Sequence, residues 1–426
     1  MKINRSFPVN DHTAFRIQML NWCNRFNIFC FLDNPVHGDT AFETLAAAGA
    51  EKHLRAAAGN AFKDLREFYA SEKGNWFFGH FGYDLKNETE NLSSPQPDFI
   101  GFSDLFFFVP QTVLRLTEHE VTIYAEDGHE SVYHAVCNMP AVIAGNGGAV
   151  KEISSRITRD AYLDIVRQLQ QHILRGDCYE INFCQEFYAE DTVIEPVLVY
   201  EKLVSVSPNP FAVLYRLDDR YCLCASPERY LKKKGERILS QPIKGTSQRD
   251  LLHPEKDEAQ KQYLLHSEKE RSENVMIVDL VRNDLSRVCS EGSVRVDELF
   301  GLYSFPQVHQ MISTVSGELR PGLNWIDAVE ATFPMGSMTG APKKRVMELI
   351  GQYEKSRRGL FSGAIGYIDP EGDADFNVVI RSLFYNAASR YLSFQAGGAI
   401  TFHSKAEEEY EECLLKAAAI RKVLLM

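Results

Sequence analysis

The stretch FSGAIGYIDPEGDADFNVVIRSLFYNAASRYLSFQAGGAITF, Phe361 to Phe402, holds three strand-like runs in quick succession: FSGAIGYI, FNVVIRSLFY and RYLSFQAGGAITF. The same signal recurs upstream. FAVLYRL and YCLCASPERYL, from Phe211 to Leu231, read as two strands, and DLFFFVPQTVLRLTEHEVTIYAED, from Asp104, as two or three. CYEINFCQEFY alternates, with Tyr179, Ile181 and Phe183 on one face and Glu180, Asn182 and Cys184 on the other, which predicts a half-buried strand. Helices are fewer. One follows the cap Thr158, carries Tyr162, Ile165, Val166, Leu169 and Ile173, and stops at Gly176. A long helix is expected from about Asp257 to Asp284, and a last one from about Ser404 to the C-terminus. Strands outnumber helices and cluster in runs, so the fold class is α+β with large, mostly antiparallel sheets. The Gly-rich AGNGGAV, Ala144 to Val150, marks the clearest boundary. It divides an N-terminal α+β region, 1–150, from a main domain, 151–426.

The net charge of −12 argues against nucleic acid as a partner, because phosphate binding wants a basic face. No run approaches the roughly 18 apolar residues of a membrane span. The opening MKINRSFPVNDHTAF has no apolar signal core, so the expected location is cytoplasmic. Nine cysteines include no C-x-x-C pair, which points to neither a zinc site nor a disulfide framework.

Several constellations can carry chemistry. In EKERSENVMIVDL, Glu270 and Glu273 are three apart, and in EEEYEECLLKA so are Glu409 and Glu412, with Lys416 four later. Such spacings share a helix face. Each pair alone reads as a solvated face, but Glu273 runs straight into the apolar VMIVDL and so stands at the edge of a buried surface. Four carboxylates from two helices suit Mg²⁺, which keeps places for water and substrate oxygens. PMGSMTGAPKKR, Pro334 to Arg345, is a turn leading into a helix and offers backbone N–H groups to an anion. AGGAI, Ala396 to Ile400, either does the same or is a glycine kink in a strand. In SQPIKGTSQRD, Ser240 to Asp250, Lys244 is either a solvated turn lysine or a desolvated one. In the second case burial lowers its pKa and makes it a nucleophile. Glu228, in ASPERYL, stands on the preceding strand-like segment, where a hairpin brings acid and amine into one cleft.

Together these residues resemble the chorismate-utilising family of anthranilate synthase component I, aminodeoxychorismate synthase component I, and the isochorismate and salicylate synthases. The likeness runs from Thr158 to Lys422 through ordered motifs: RGDCYEINF, ASPERYL, PIKGT, EKERSENVMIVDLVRNDL, FPMGSMTGAPKKRVMELI, SGAIGY, VVIRSLFY, AGGAI and EEYEECLLKA. It implies a two-layered sandwich of antiparallel sheets covered by helices, as in anthranilate synthase component I. PIKGT, with lysine, resembles the aminodeoxychorismate synthases, whereas anthranilate synthases usually carry alanine there. The resemblance therefore implies that Lys244 attacks carbon 2 of chorismate, that ammonia then adds at carbon 4, and that Glu228 is the general acid. It implies Mg²⁺ on Glu273 and Glu412, with Glu270 and Glu409 helping. It implies that Thr246, Thr339, Tyr367, Arg381, Lys416 and the backbone at Gly397 and Gly398 bind the substrate, with Lys343 a further cation. The product would be 4-amino-4-deoxychorismate, which feeds para-aminobenzoate and folate synthesis. No Gly-x-Cys-x-Gly elbow is present, so ammonia is expected from a separate glutamine amidotransferase subunit. Anthranilate synthase component I and a non-catalytic chorismate-binding subunit are the alternatives.

The chain also departs from the family. Water-adding relatives carry lysine, and ammonia-using ones usually glutamine, where this chain has Glu180. Gln310 replaces a usual histidine, with His309 one position earlier and able to compensate by a shift. Ala399 replaces a glycine, and its methyl is expected to crowd a bound carboxylate.

Overall fold

The computed structural model describes residues 2–35, 44–143, 145, 150 and 152–425. The boundary stretch Ala144 to Val150 thus lies mostly outside the described residues. Every strand pairing among them is antiparallel. One arm runs from Leu105–Leu116 through Thr44–Ala56, Ile28–Asp33, Phe211–Leu217, Arg220–Ser226, Ser382–Asn386 and Tyr391–Ile400 to Glu180–Ala189. A second leaves the opposite edge of Leu105–Leu116 through Phe77–Phe81, Ala364–Ile368, Ala374–Asn377, Arg229–Lys234 and Arg237–Gln241 to Val308–Glu318. That last strand also holds Ile243–Gln248, which bears Lys244, and Arg295–Ser304. Strands from both sides of Gly145 pair with one another, Ile28–Asp33 with Phe211–Leu217 and Phe77–Phe81 with Ala364–Ile368, so the two regions share sheets.

Two apolar clusters fill the interior. One gathers Phe29, Phe31, Tyr162, Leu169, Ile181, Phe183 and Ile420; the other gathers Phe77, Phe81, Phe107, Ile277, Trp325 and Phe376. The strand Glu180–Ala189 stands between them: Ile181, Phe183 and Phe187 enter the first cluster and Cys184 the second. Its alternation predicts a half-buried strand, but both faces are covered. The polar residues of its second face are accordingly paired inside the protein.

The long helix expected from Asp257 to Asp284 is two, Pro254–His266 and Glu268–Ser286. Ser267 makes the break, its hydroxyl accepting the Glu270 N–H at 3.3 Å as an N-cap. The break sets Glu270 in the first turn of a new helix. The last helix, Ala406–Leu425, likewise begins with Glu407, Glu408 and Glu409 in its first turn. Helix N-termini carry partial positive charge, so both places favour carboxylates. Among the described residues no helix is long and apolar enough to cross a membrane.

Candidate active site

Lys244 lies at a bulge. The pairing of Ile243–Gln248 with Val308–Glu318 slips between Ile243 and Thr246, and Gly245 takes φ +96° there. A Cβ on Gly245 would stand 3.2 Å from Glu270 Oε2 and 3.0 Å from Leu264 Cδ1, so glycine lets the helix of Glu270 close over this strand. Asn274, one turn further on, donates to the Lys244 carbonyl at 3.4 Å and accepts from Ser313 at 2.6 Å. The Lys244 side chain is 12% exposed; its Nζ donates to Glu180 Oε1 at 2.8 Å and lies 3.8 Å from Glu273 Oε2. This corrects the expectation of a lowered pKa. Burial does pull the amine down, but the charges of Glu180, Glu273 and Glu412 outweigh it and hold Lys244 above the ordinary lysine value, as an ammonium.

Glu228 is buried, and burial pushes its carboxyl up to about 7, against the side chain of Ser337, the charge of Lys244 and the Ile243 N–H. Asn182 links this acid to Glu180: its amide donates to the Ser337 carbonyl at 2.9 Å, two residues along the strand that Glu180 begins. Acid and amine therefore lie close enough to feel each other's charge, although the strand Arg237–Gln241 stands between their segments and no single hairpin joins them.

The four glutamates gather near the same amine, all four acting on Lys269 and two of them on Lys244. Burial raises Glu270, Glu273 (to about 7) and Glu409, with neighbouring glutamates adding to the effect. Glu412 alone is lowered, by Lys416, whose Nζ lies 2.7 Å from Glu412 Oε1. Gly398 faces this group: a Cβ there would stand 3.0 Å from Glu409 Oε2, 3.6 Å from Glu412 Oε1 and 3.8 Å from Lys416 Nζ. Neighbouring strand residues point to opposite faces, so the Ala399 methyl points away from the glutamates. Lys269, which the sequence reading passed over, lies 4.0 Å from Glu273 and is raised by the charges of all four glutamates. Its place one turn before Glu273, in EKERSEN, was the available signal. Among the described residues no three acidic, histidine or cysteine side chains are gathered tightly enough to cage a metal ion by themselves. The four glutamates thus form no closed cage, and any cation held here would draw its remaining places from water and substrate oxygens.

Other predicted residues divide. Arg381, half-buried at φ +53°, makes no side-chain hydrogen bond or ion pair among the described residues. Burial lowers its pKa and the charge of Glu412 partly restores it. An unpaired guanidinium here is available to an anion. Lys416 is held by Glu412 and by the Gly397 carbonyl at 2.9 Å. Thr246 is exposed beside Lys244 and pairs with Gln310. Thr339 is fully buried and spends its hydroxyl inside its own turn, on the carbonyls of Met335 and Gly336.

Three expectations are corrected. Tyr367 packs near Trp76 and Phe78 and lines a separate pocket with Asp33, Phe211 and Asp375. Lys343 is bound to Asp284 at 2.6 Å and to the Thr332 carbonyl at 3.0 Å, so it is no site cation. His309 has both ring nitrogens engaged, by Ser304 and Asp257, and does not compensate for Gln310.

A cleft with a tethered amine, a carboxylic acid near neutrality, four gathered carboxylates and a free guanidinium is equipped to bind a small polyanion and move a proton at a leaving group. A family model described as chorismate binding enzyme matches residues 28–422. The chain is 40% identical over 348 residues to aminodeoxychorismate synthase component 1 of Escherichia coli strain K12, covering 81% of this chain and 76% of that one. It is 33% identical over 359 residues to anthranilate synthase component 1 of Thermus thermophilus, covering 82% and 77%. The crystal structure of anthranilate synthase component I from Streptococcus pneumoniae TIGR4 matches with a TM-score of 0.77 at 26% identity, over 92% of both chains. The expected α+β fold is thereby borne out.

Proposed function

The chain belongs to the chorismate-binding enzymes, and we propose that it aminates chorismate at carbon 4, giving 4-amino-4-deoxychorismate, the reaction named for its Escherichia coli relative. The observation that carries this is Lys244, buried and tied to Glu180 at 2.8 Å in the cleft that also holds Glu228. After losing a proton, the amine attacks carbon 2. The ring double bond shifts and the carbon 4–oxygen bond breaks. Glu228 gives its proton to the departing hydroxyl, which leaves as water. Ammonia then adds at carbon 4, the double bond shifts back, and the bond to Lys244 breaks. The new ammonium group returns a proton to the Glu228 carboxylate. The sum is chorismate plus ammonia to 4-amino-4-deoxychorismate plus water.

Chorismate is a dianion and the chain carries −12, so positive charge has to be supplied locally. Arg381 is the unpaired cation for one carboxylate. Mg²⁺, when bound, would offset the ring carboxylate's charge, with Glu273 and Glu412 holding it and Glu270 and Glu409 beside them. Gly398→Val, which drives a branched side chain at Glu409 and Glu412, should raise the Mg²⁺ concentration for half-maximal rate about tenfold. Chelation should abolish turnover reversibly. An unchanged Mg²⁺ titration would remove these glutamates from metal binding.

A subunit named component 1 implies a second one, so a separate glutamine amidotransferase is proposed as the ammonia source. All nine cysteines are free thiols, as a reducing cytoplasm would keep them. The anthranilate reading draws on the Thermus relative. Against it stand Lys244 and the amide of Gln310 where a titrating histidine is usual. The test is one chromatogram of chorismate, Mg²⁺ and an ammonium salt at alkaline pH. A 4-amino product is expected; anthranilate, or untouched chorismate, would sink the reading.

A further inference from the structure

We propose that Glu180 is the positioning residue for the Lys244 amine, holding it by a hydrogen bond at the distance from which it attacks; this rests on Lys244 being the nucleophile, as above. Glu180 is fixed by its backbone. Tyr179 N–H donates to the Ala341 carbonyl at 2.8 Å, and Glu180 pairs with Ala341 across the sheet. Gly340, at φ +139°, approaches so closely that a Cβ would stand 2.1 Å from the Glu180 carbonyl oxygen. The Glu180 side chain is therefore anchored where strand and turn meet, and the residue is 1% exposed.

Of the carboxylates around Lys244, Glu180 is the one within hydrogen-bond distance, at 2.8 Å; Glu273 stands off at 3.8 Å. Glu273 is also a proposed cation ligand. Once it turns to that task, Glu180 is the tether that remains. Its second oxygen, Oε2, is buried and has no hydrogen-bond partner among the described residues. A buried, unused acceptor is unfavourable unless something draws on it. Here it gives the amine a second foothold on the same carboxylate. Lys244 can slide from Oε1 to Oε2 as it approaches the ring and returns, without losing its partner. What positioning requires is a buried acceptor oxygen at this point. The amide oxygen of glutamine supplies one, and a methyl group does not.

The experiment follows the chorismate adduct by quench and intact mass, in Mg²⁺ without ammonia, for wild type, Glu180→Gln and Glu180→Ala. Melting curves and chorismate affinity are measured alongside. We expect Glu180→Gln to form the adduct within about threefold of the wild-type rate and Glu180→Ala about thirtyfold or more slowly, with affinity little changed. Should the alanine variant fail to fold, Glu180→Met, which fills the space without an acceptor, takes its place. An acceptor-free variant at wild-type rate would overturn the proposal, and so would a glutamine variant as slow as alanine. Absence of the adduct in wild type would remove the lysine reading itself, an outcome distinct from a wild-type adduct that is indifferent to Glu180.

Discussion

Lys244→Ala should lower the rate of chorismate amination by at least about a thousandfold, because the variant loses the proposed nucleophile rather than a contact. The loss should fall on kcat, since the substitution leaves Arg381 and the glutamates, the proposed substrate and cation sites, in place. Lys244→Arg should be no better: it keeps the charge, but a guanidinium does not give up its proton near neutral pH. It thereby separates a nucleophile from a mere counter-ion of Glu180 and Glu273. The alanine variant also leaves Glu180 buried without its cation. Losing one partner of a buried ion pair costs stability, so the variant should melt at a lower temperature than wild type. Product analysis at saturating chorismate checks the main claim, and turnover like the wild type's in Lys244→Ala would remove covalent catalysis.

Glu228→Gln is the second large effect, expected at about a hundredfold to ten-thousandfold in kcat/KM, the range of a lost general acid. Its pH behaviour is specific. Burial lifts the Glu228 carboxyl from an ordinary 4.5 to about 7, so the acid form persists to near neutrality and vanishes above it. Expressed per free ammonia, the wild-type rate should therefore fall as pH rises through about 7. The glutamine variant should lack that limb. Stability has the same sign. The folded state holds a proton that the unfolded chain has released, so stability is fullest below about 4.5 and is lost as pH rises through about 7. Above that pH, Glu228→Gln should be more stable than wild type by on the order of 1–3 kcal/mol, read from urea unfolding at pH 5 and pH 8. A variant that keeps the alkaline limb would place the acid elsewhere.

The fold was legible where local chemistry decides it. The runs from Phe361 to Phe402 became the strands Ala364–Ile368, Ala374–Asn377, Ser382–Asn386 and Tyr391–Ile400. Thr158 and Gly176 bounded their helix as read. Glutamate spacing placed Glu270 with Glu273, and Glu409 with Glu412, on helix faces, because i,i+3 geometry is local. What failed depended on partners far along the chain. The charge state of Lys244 is set by Glu180, 64 residues earlier, and no local pattern announces that pairing. Lys343 looks like a free cation until Asp284 is folded against it. Tyr367 shares the Ala364–Ile368 strand but faces another cavity. Ser267 is a plain N-cap signal that the continuous apolar stripe on either side obscured.

In the proposed reaction the Lys244 nitrogen is bonded to the substrate ring for part of each turnover. Peptide mapping by mass spectrometry, after wild-type protein is quenched with chorismate and Mg²⁺ in the absence of ammonia, tests it directly. The peptide carrying Lys244 should gain the mass of chorismate less one water, and adding ammonia should discharge it as the 4-amino product. An unmodified Lys244 in protein that goes on to aminate chorismate at full rate would contradict it.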